Sequence, residues 1–232
     1  MTALPDLVIF DCDGVLVDTE NLANRRLAQW LCEAGFSVTF EHCRKHFTGR
    51  SMSSVQEAVE AAGVSLGSDF VDRWNDGLPD LFAAGVEAIP HVREVVERLR
   101  AADLSYCVAS SAQVPKMHIT LGATGLLPLF EHVLFSATMV ARGKPFPDLF
   151  LHAARSLGTE PGRCVVVEDS VPGTVAGIAA GMRVYSYCAD PHSDREGLES
   201  AGGILFDDMR QLPRMIGLDQ FSLPGGQAAS LS

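Results

Sequence analysis

Short apolar runs alternate with helical patterns from about residue 86 onward, and one further run stands near the start of the chain. Five of these runs are typical of buried strands: LVIF (7–10), SYCVA (105–109), HVLFS (132–136), CVVVE (164–168) and RVYSY (183–187). The segment HVREVVERLRAA shows the helical pattern, with apolar side chains at Val92, Val95, Val96 and Leu99. Strands that alternate with helices form a parallel sheet covered by helices. The sequence therefore predicts an α/β fold built on a doubly wound parallel sheet.

A long insert without strand patterns follows the first apolar run. Three stretches in it have the helical period, at about 20–34, 52–62 and 69–84. An insert of this size is too long for an ordinary connection between two elements. We therefore predict two domains, a core of residues 1–17 and 87–232 and a helical domain of residues 18–86.

Composition narrows the classes of partner. The formal net charge is -11, and nucleic acids and anionic membrane surfaces both require a basic face. No apolar run approaches the ~20 residues that a membrane-spanning helix needs, and the start of the chain lacks a signal-peptide pattern. The six cysteines show no CxxC spacing. We expect reduced thiols in a cytoplasmic protein, with neither nucleic acid nor membrane as a partner.

Acidic residues follow two of the predicted strands. Asp11 and Asp13 come directly after LVIF, while Glu168 and Asp169 end CVVVED. Because the carboxyl ends of parallel strands meet at one edge of the sheet, the four carboxylates are expected to share a cleft, where they repel each other. Oxygen ligands with no His or Cys among them suit a hard cation, so we predict a Mg²⁺ site.

Other interpretations of these acids are weaker. An EF-hand calcium loop begins D-x-D but places glycine at its sixth position, whereas Gly14 is the fourth residue from Asp11. A single aspartate is more often a helix cap, and Asp169 or Ser170 could cap the helix that follows. Capping does not explain paired acids at the ends of two separate strands.

Two further segments suit phosphate oxygens. Ser110 and Ser111 end the second predicted strand, where hydroxyl and N–H groups would face the same edge, although either serine could instead cap a helix. Lys144 precedes two prolines that rule out a regular helix at that point. A lysine fixed beside the acids could neutralise both a carboxylate and a phosphate.

Four segments in this order resemble the haloacid dehalogenase superfamily of phosphohydrolases: DCDGVLVDTE, VASSA, GKPFPDLF and VVVEDSVPGTVAGIAAGM. The resemblance covers nearly the whole chain. The helical insert looks like the small cap domain of the subgroup that contains phosphoglycolate phosphatase and β-phosphoglucomutase. The segments FDCDG and YSYCADPHSD look similar to those of a bacterial sugar-phosphate phosphatase that acts on 6-phosphogluconate. The resemblance implies a Rossmann-like core with strand order 3-2-1-4-5, in the numbering of the five runs, and an inserted α-helical cap.

The resemblance also implies roles for the acids. Asp11 would be the nucleophile that forms an aspartyl-phosphate and a ligand of Mg²⁺. Asp13 would be the general acid and then the general base, and its backbone carbonyl would bind the same ion. Asp169 would hold the metal, and Glu168 would bind it directly or through water. A carboxylate nucleophile needs such cations because a phosphate dianion repels it.

The remaining roles follow from the same resemblance. Ser110, the Ser111 backbone and Lys144 would bind the phosphate of a small phosphorylated metabolite, and Arg50 in FTGRSM would contact the rest of the substrate. The second aspartate, Asp13, favours phosphate esters over organic halides, which need no acid. The segment NLANRRLAQW lacks the histidine typical of β-phosphoglucomutases. Hydrolysis is therefore expected, with a phosphosugar mutase or a non-catalytic phosphometabolite sensor as the alternatives.

Overall fold

The strands of the computed structural model follow the predicted runs closely. The structure describes residues 4–47 and 52–220. Within these ranges it has eight strands: β1 (Leu7–Phe10), β2 (Val17–Asp18), β3 (Glu87–Ala88), β4 (Ser105–Ser110), β5 (Leu134–Ser136), β6 (Cys164–Glu168), β7 (Arg183–Tyr187) and β8 (Ile204–Phe206). The same ranges contain eleven α-helices: α1 (Thr19–Glu33), α2 (Phe40–His46), α3 (Met52–Ala61), α4 (Phe70–Gly85), α5 (Val92–Ala101), α6 (Val114–Ala123), α7 (Leu127–Phe130), α8 (Asp148–Ser156), α9 (Val171–Ala179), α10 (Arg195–Ser200) and α11 (Leu212–Met215).

The chain divides into two compact units. Within the described ranges, the core unit comprises residues 4–11, 90–111 and 132–220. The helical unit comprises residues 12–47, 52–89 and 112–131, so that it includes α6 and α7 as well as α1–α4. The domain boundaries drawn from the sequence remain a prediction.

A six-stranded parallel sheet forms the centre of the core unit. Its order is β5-β4-β1-β6-β7-β8, and neighbouring strands are parallel. The first five strands of this order reproduce the expected 3-2-1-4-5, so the predicted fold class is confirmed. β8 extends the sheet at one edge and was not predicted. β1 pairs on one side with β4 and on the other with β6, which brings Ile9 opposite both Cys107 and Val166.

The central strands are largely apolar because helices cover both of their faces. All four residues of β1 are fully buried. Leu149 and Phe150 of α8 and Ala176 of α9 join β1, β4 and β6 in one hydrophobic cluster. Phe150 is completely buried, and truncating such a side chain to alanine typically costs about 3–5 kcal/mol. This packing fixes where β1 and β6 end, and therefore where the acids that follow them lie.

The helical unit has its own core and a short ribbon. Leu27, Leu31, Val55 and Phe70 belong to a buried cluster formed by its helices. The three predicted helices are α1, α3 and α4, while α2 was not predicted. β2 and β3 pair antiparallel at the two points where the sequence enters and leaves the insert. This two-stranded ribbon joins the beginning of the insert to its end.

Candidate active site

A buried lysine joins two acids in the core unit. The Lys144 Nζ atom lies 2.6 Å from Asp11 Oδ1 and 2.6 Å from Glu168 Oε1. The side chains of Lys144, Asp11 and Glu168 are only 5%, 10% and 1% exposed. Three of the residues predicted for the site are therefore in direct contact and almost completely removed from water.

Sheet register explains why the two acids meet. Phe10 of β1 stands beside Val167 of β6, so Asp11 and Glu168 occupy the next positions along neighbouring strands. The Asp11 N–H donates to the Val167 carbonyl at 2.9 Å, which continues the ladder by one bond. Lys144 reaches them from the segment before α8. Two strands and one loop thus converge on a single point.

The charges in this cluster support one another. Burial alone would lower the pKa of Lys144, but the charges and hydrogen bonds of Asp11 and Glu168 outweigh it and hold that pKa above its ordinary value. The ammonium also lies 5.0 Å from the centre of the Phe150 ring. Lys144 is therefore protonated at any physiological pH and provides a fixed positive charge beside Asp11.

The second oxygen of Glu168 is equally well held. Glu168 Oε2 accepts hydrogen bonds from the N–H of Asp169 at 2.8 Å, the N–H of Ser170 at 2.7 Å and the Ser170 hydroxyl at 2.9 Å. The Ser170 hydroxyl oxygen in turn caps α9 by accepting from the Gly173 N–H. A Cβ atom placed at Gly173 would overlap the Glu168 carboxylate. Glycine is therefore required here to leave room for the acid, a requirement that sequence analysis missed.

The predicted metal ligands of the core unit have suitable chemistry for Mg²⁺. Asp11, Glu168 and Asp169 supply only carboxylate oxygens, and Lys144 alone leaves them an excess of negative charge. Among the residues that the structure describes, there is no group of three or more His, Cys, Asp or Glu side chains that could hold a metal ion as they stand. Lys144 contacts Asp11 and Glu168 directly. The donor set fits a hard divalent cation.

Both predicted phosphate-binding serines lie at the same edge of the core sheet. Ser110 is the last residue of β4 and is buried, whereas Ser111 follows it and is exposed. Because β4 is the other neighbour of β1, the two serines leave the sheet on the side where Asp11 stands. Their roles remain predictions. Arg50, the predicted substrate contact, lies outside the described residues.

Asp13 belongs to the helical unit, where two groups hold its carboxylate. The Thr19 hydroxyl donates to Asp13 Oδ1 at 2.7 Å, and Lys116 Nζ donates to Asp13 Oδ2 at 2.8 Å. Lys116 comes from the first turn of α6, 103 positions along the chain. Its side chain is 36% exposed, so this ion pair remains accessible to water. No sequence motif pointed to Lys116.

A cleft of about 310 Å³ lies within the helical unit. Its polar lining consists of Thr19, Glu20, Asn24 and Lys116. Its apolar lining comprises Ala23, Leu27, Phe47, Met52, Trp74, Leu78 and Phe82. Burial raises the pKa of Glu20; the nearby Arg44 opposes this rise and Asp13 adds to it. The cleft combines a few polar groups with apolar walls, the usual make-up of a small-molecule site.

No helix in the described part of the chain combines the length and the apolar character needed to cross a bilayer.

Comparisons with known proteins agree with the fold. The family model described as "Haloacid dehalogenase-like hydrolase" matches residues 8–186. A 6-phosphogluconate phosphatase from Escherichia coli (strain K12) is 33% identical over 190 residues, which are 81% of this chain and 85% of that protein.

Two solved structures match nearly the whole chain. One is a HAD family hydrolase from Deinococcus radiodurans R1 with bound phosphate and sodium, with a TM-score of 0.84 and 31% identity over 93% of this chain and 98% of that one. The other is a haloacid dehalogenase-like protein of unknown function from Agrobacterium tumefaciens str. C58, with a TM-score of 0.82 and 34% identity over 93% and 99%.

Proposed function

The chain belongs to the haloacid dehalogenase-like hydrolase family and is a phosphatase, and from that premise we propose that it hydrolyses small phosphate monoesters through an aspartyl-phosphate on Asp11, with Mg²⁺ as cofactor. The observation that carries the proposal is the almost completely buried contact of Lys144 with Asp11 and Glu168, at 2.6 Å each. A fixed cation beside a carboxylate at the end of a central strand suits attack on an anionic phosphoryl group. The phosphate bound to the Deinococcus hydrolase supports the same class of substrate.

Phosphoryl transfer takes two steps in this mechanism. Asp11 attacks phosphorus, a new bond forms from its carboxylate oxygen, and the bond from phosphorus to the ester oxygen breaks. Asp13 donates its proton to that leaving oxygen. The Asp13 carboxylate then removes a proton from water, which attacks the aspartyl-phosphate, releases inorganic phosphate and restores Asp11. Dividing transfer in this way replaces one difficult displacement with two easier ones.

The surrounding residues hold these groups in position. Lys144 fixes Asp11 through Oδ1 and would bind a phosphoryl oxygen together with Ser110 and the Ser111 backbone. Thr19 and Lys116 each bond one oxygen of Asp13 and so set the direction of its carboxylate. Orientation of this kind supplies much of the rate advantage in phosphoryl transfer.

Mg²⁺ would be held by Asp11, the Asp13 backbone carbonyl, Glu168 and Asp169. When bound, it supplies positive charge that offsets the repulsion between the phosphate dianion and the carboxylates.

The six cysteines are free thiols, which supports the predicted cytoplasmic location.

Phosphate release from a panel of small esters tests this proposal. The purified protein is assayed with Mg²⁺ and with EDTA, beside Asp11→Asn and a matched control, Asp103→Asn, which changes an exposed core-unit aspartate whose positive φ asparagine also tolerates. We expect release that needs the metal, falls by about 10³-fold or more in Asp11→Asn, and persists in the control. Folded protein that releases no phosphate from any ester, yet interconverts sugar phosphates when given a bisphosphate, would identify a mutase instead.

A further inference from the structure

The cleft of the helical unit contains one carboxylate with spare capacity to accept hydrogen bonds. Glu20 Oε2 accepts from Asn24 Nδ2 at 3.3 Å and from Arg44 Nη1 at 3.4 Å, and both contacts are long. Glu20 Oε1 has no hydrogen-bond partner within the ranges that the structure describes. The Glu20 side chain is 43% exposed and lines the cleft. A ligand there would find an acceptor that the protein has not already satisfied.

Lys116 provides the complementary donor in the same cleft. Its ammonium gives one hydrogen bond to Asp13 Oδ2 and lies 5.2 Å from the centre of the Phe82 ring. An ammonium has three donors, so the contact with Asp13 leaves Lys116 able to bond a ligand. Its positive charge, however, is already paired with a carboxylate at 2.8 Å. Lys116 can therefore bind a hydroxyl without providing an unpaired charge for an anion.

The walls of the cleft suit the carbon side of a sugar-like molecule. Trp74 and Phe82 are largely buried, and they line the cleft together with Leu27 and Leu78. Flat rings cover C–H groups, while hydroxyls along the same chain reach toward Glu20 and Lys116. A volume of about 310 Å³ is at the small end of the range for sites that bind small molecules.

We propose that this cleft binds the leaving-group portion of the substrate and selects neutral, polyhydroxylated alcohols over those that carry a carboxylate, with Glu20 as the specificity-determining residue. The inference rests on the proposed function, because Lys116 connects the cleft to Asp13, which would protonate the leaving oxygen. Hydroxyls donate to Glu20 Oε1, whereas a substrate carboxylate would face an acid and be repelled. The preferred substrates are phosphates of sugars or sugar alcohols, a class different from the phosphorylated acid named for the Escherichia coli relative.

Two esters of the same length isolate this feature. Sorbitol 6-phosphate ends in a hydroxymethyl group where 6-phosphogluconate ends in a carboxylate. We expect kcat/KM to favour sorbitol 6-phosphate, and Glu20→Gln to reduce that preference by about tenfold, which is the lower end of the contribution of a hydrogen bond to a charged group. Glu57→Gln is the matched control, because Glu57 is an exposed acid on α3 that does not line the cleft. It should leave the preference unchanged.

The controls separate failure of this inference from failure of the proposed function. p-Nitrophenyl phosphate lacks hydroxyls, so its Mg²⁺-dependent hydrolysis by the parent protein tests the phosphatase apart from the selectivity. A thermal melting curve that matches that of the parent protein shows that Glu20→Gln is folded. A second variant, Glu20→Asp, keeps the charge and should keep the discrimination against 6-phosphogluconate. If p-nitrophenyl phosphate is hydrolysed but the two esters react equally well, or Glu20→Gln leaves their ratio unchanged, the selectivity is overturned while the phosphatase stands. No hydrolysis of any ester would overturn both.

Discussion

The core unit and the helical unit each contain a cluster of charged side chains, and the two clusters differ in kind. In the core unit, Lys144 contacts Asp11 and Glu168 at 2.6 Å with almost no exposure to water. In the helical unit, Glu20 contacts Arg44 at 3.4 Å and is 43% exposed. Short, dry contacts fix atoms in place, whereas long, hydrated ones leave an acceptor available. We expect the first arrangement to serve bond making and the second to serve the choice among substrates.

The largest expected effect comes from breaking the core cluster. Lys144→Met would leave Asp11 and Glu168 buried together without a cation, and removing one partner of a buried ion pair typically costs about 3–5 kcal/mol. Turnover should also fall by about 10³-fold, because the fixed charge beside the nucleophile is lost. Urea unfolding in EDTA and phosphate release measure the two effects. Lys45→Met, at an exposed position on α2, is the control. If Lys144→Met lowers the free energy of unfolding by less than about 1 kcal/mol, the two clusters do not differ in kind.

Gly173 offers a way to disturb the core cluster without removing a charge. Gly173→Ala places a Cβ against the Glu168 carboxylate, which must move and take its contact with Lys144 along. We expect kcat to fall by about 10²-fold, the loss associated with misplacement of about 1 Å. Gly177→Ala on the same helix is the matched control. Its Cβ would lie 2.6 Å from Val184 Cγ2, so it should lower the free energy of unfolding by about 1–3 kcal/mol while kcat stays near the parent value.

Rescue distinguishes positioning from general damage at this glycine. Combining Gly173→Ala with Glu168→Asp shortens the acid by one methylene and makes room for the new Cβ. The double variant should be more active than Gly173→Ala alone. Purely additive losses would show that Gly173 does not act through Glu168.

The helical unit should respond more weakly to the same kind of change. Lys116→Met removes one of the two groups that bond Asp13, but the Lys116 side chain is 36% exposed. Partly exposed pairs contribute about 0–1 kcal/mol, so stability should barely change, while kcat falls by about tenfold as Asp13 loses orientation. Thermal melting and steady-state kinetics test this. A loss of stability as large as that of Lys144→Met would show that both clusters are structural.

The smallest expected effect is a difference in thiol reactivity between the surface and the interior of the helical unit. Cys32 is exposed, whereas Cys43 is buried, and burial together with the nearby Cys32 raises the pKa of Cys43 to about 11. Because only a thiolate reacts, Cys43 should be inert at pH 8 and become reactive only as the pH approaches that value. A coloured disulfide reagent should therefore label one thiol rapidly at pH 8, with no loss of activity. Rapid labelling that persists in Cys32→Ser would show that the interior is open.

Sequence alone predicted the sheet because its strands are continuous apolar runs. β1, β6 and β7 begin and end at the predicted residues, since each is buried on both faces and rich in β-branched or aromatic side chains. β8 was not predicted because it has only three residues and follows two glycines. α2 was not predicted because FEHCRKH has no apolar stripe, and its start is instead capped by Thr39. A hydrophobic period can be recognised only in an element of several residues, whereas the formation of a short element depends on the residues that pack against it.

The candidate site divides in the same way. Lys144 could be singled out because prolines and the order of the motifs set it apart, and the structure places it on Asp11 and Glu168. Lys116 could not be found, because it is a single lysine in α6 that reaches Asp13 only through tertiary packing. Glu20 belongs to the first motif, but nothing in its spacing shows that its side chain lines a cleft. Motifs identify residues that must be of one type, whereas contacts between distant segments require coordinates.

Trapping the covalent intermediate tests the central claim most directly. The enzyme is mixed with Mg²⁺ and an excess of a good ester, quenched in acid during the first turnover, reduced with borohydride and digested for mass spectrometry. Because reduction converts an aspartyl-phosphate to homoserine, we expect homoserine at position 11, in an amount that matches the burst of released alcohol. A burst without modification of Asp11, or homoserine at position 13 instead, would contradict it.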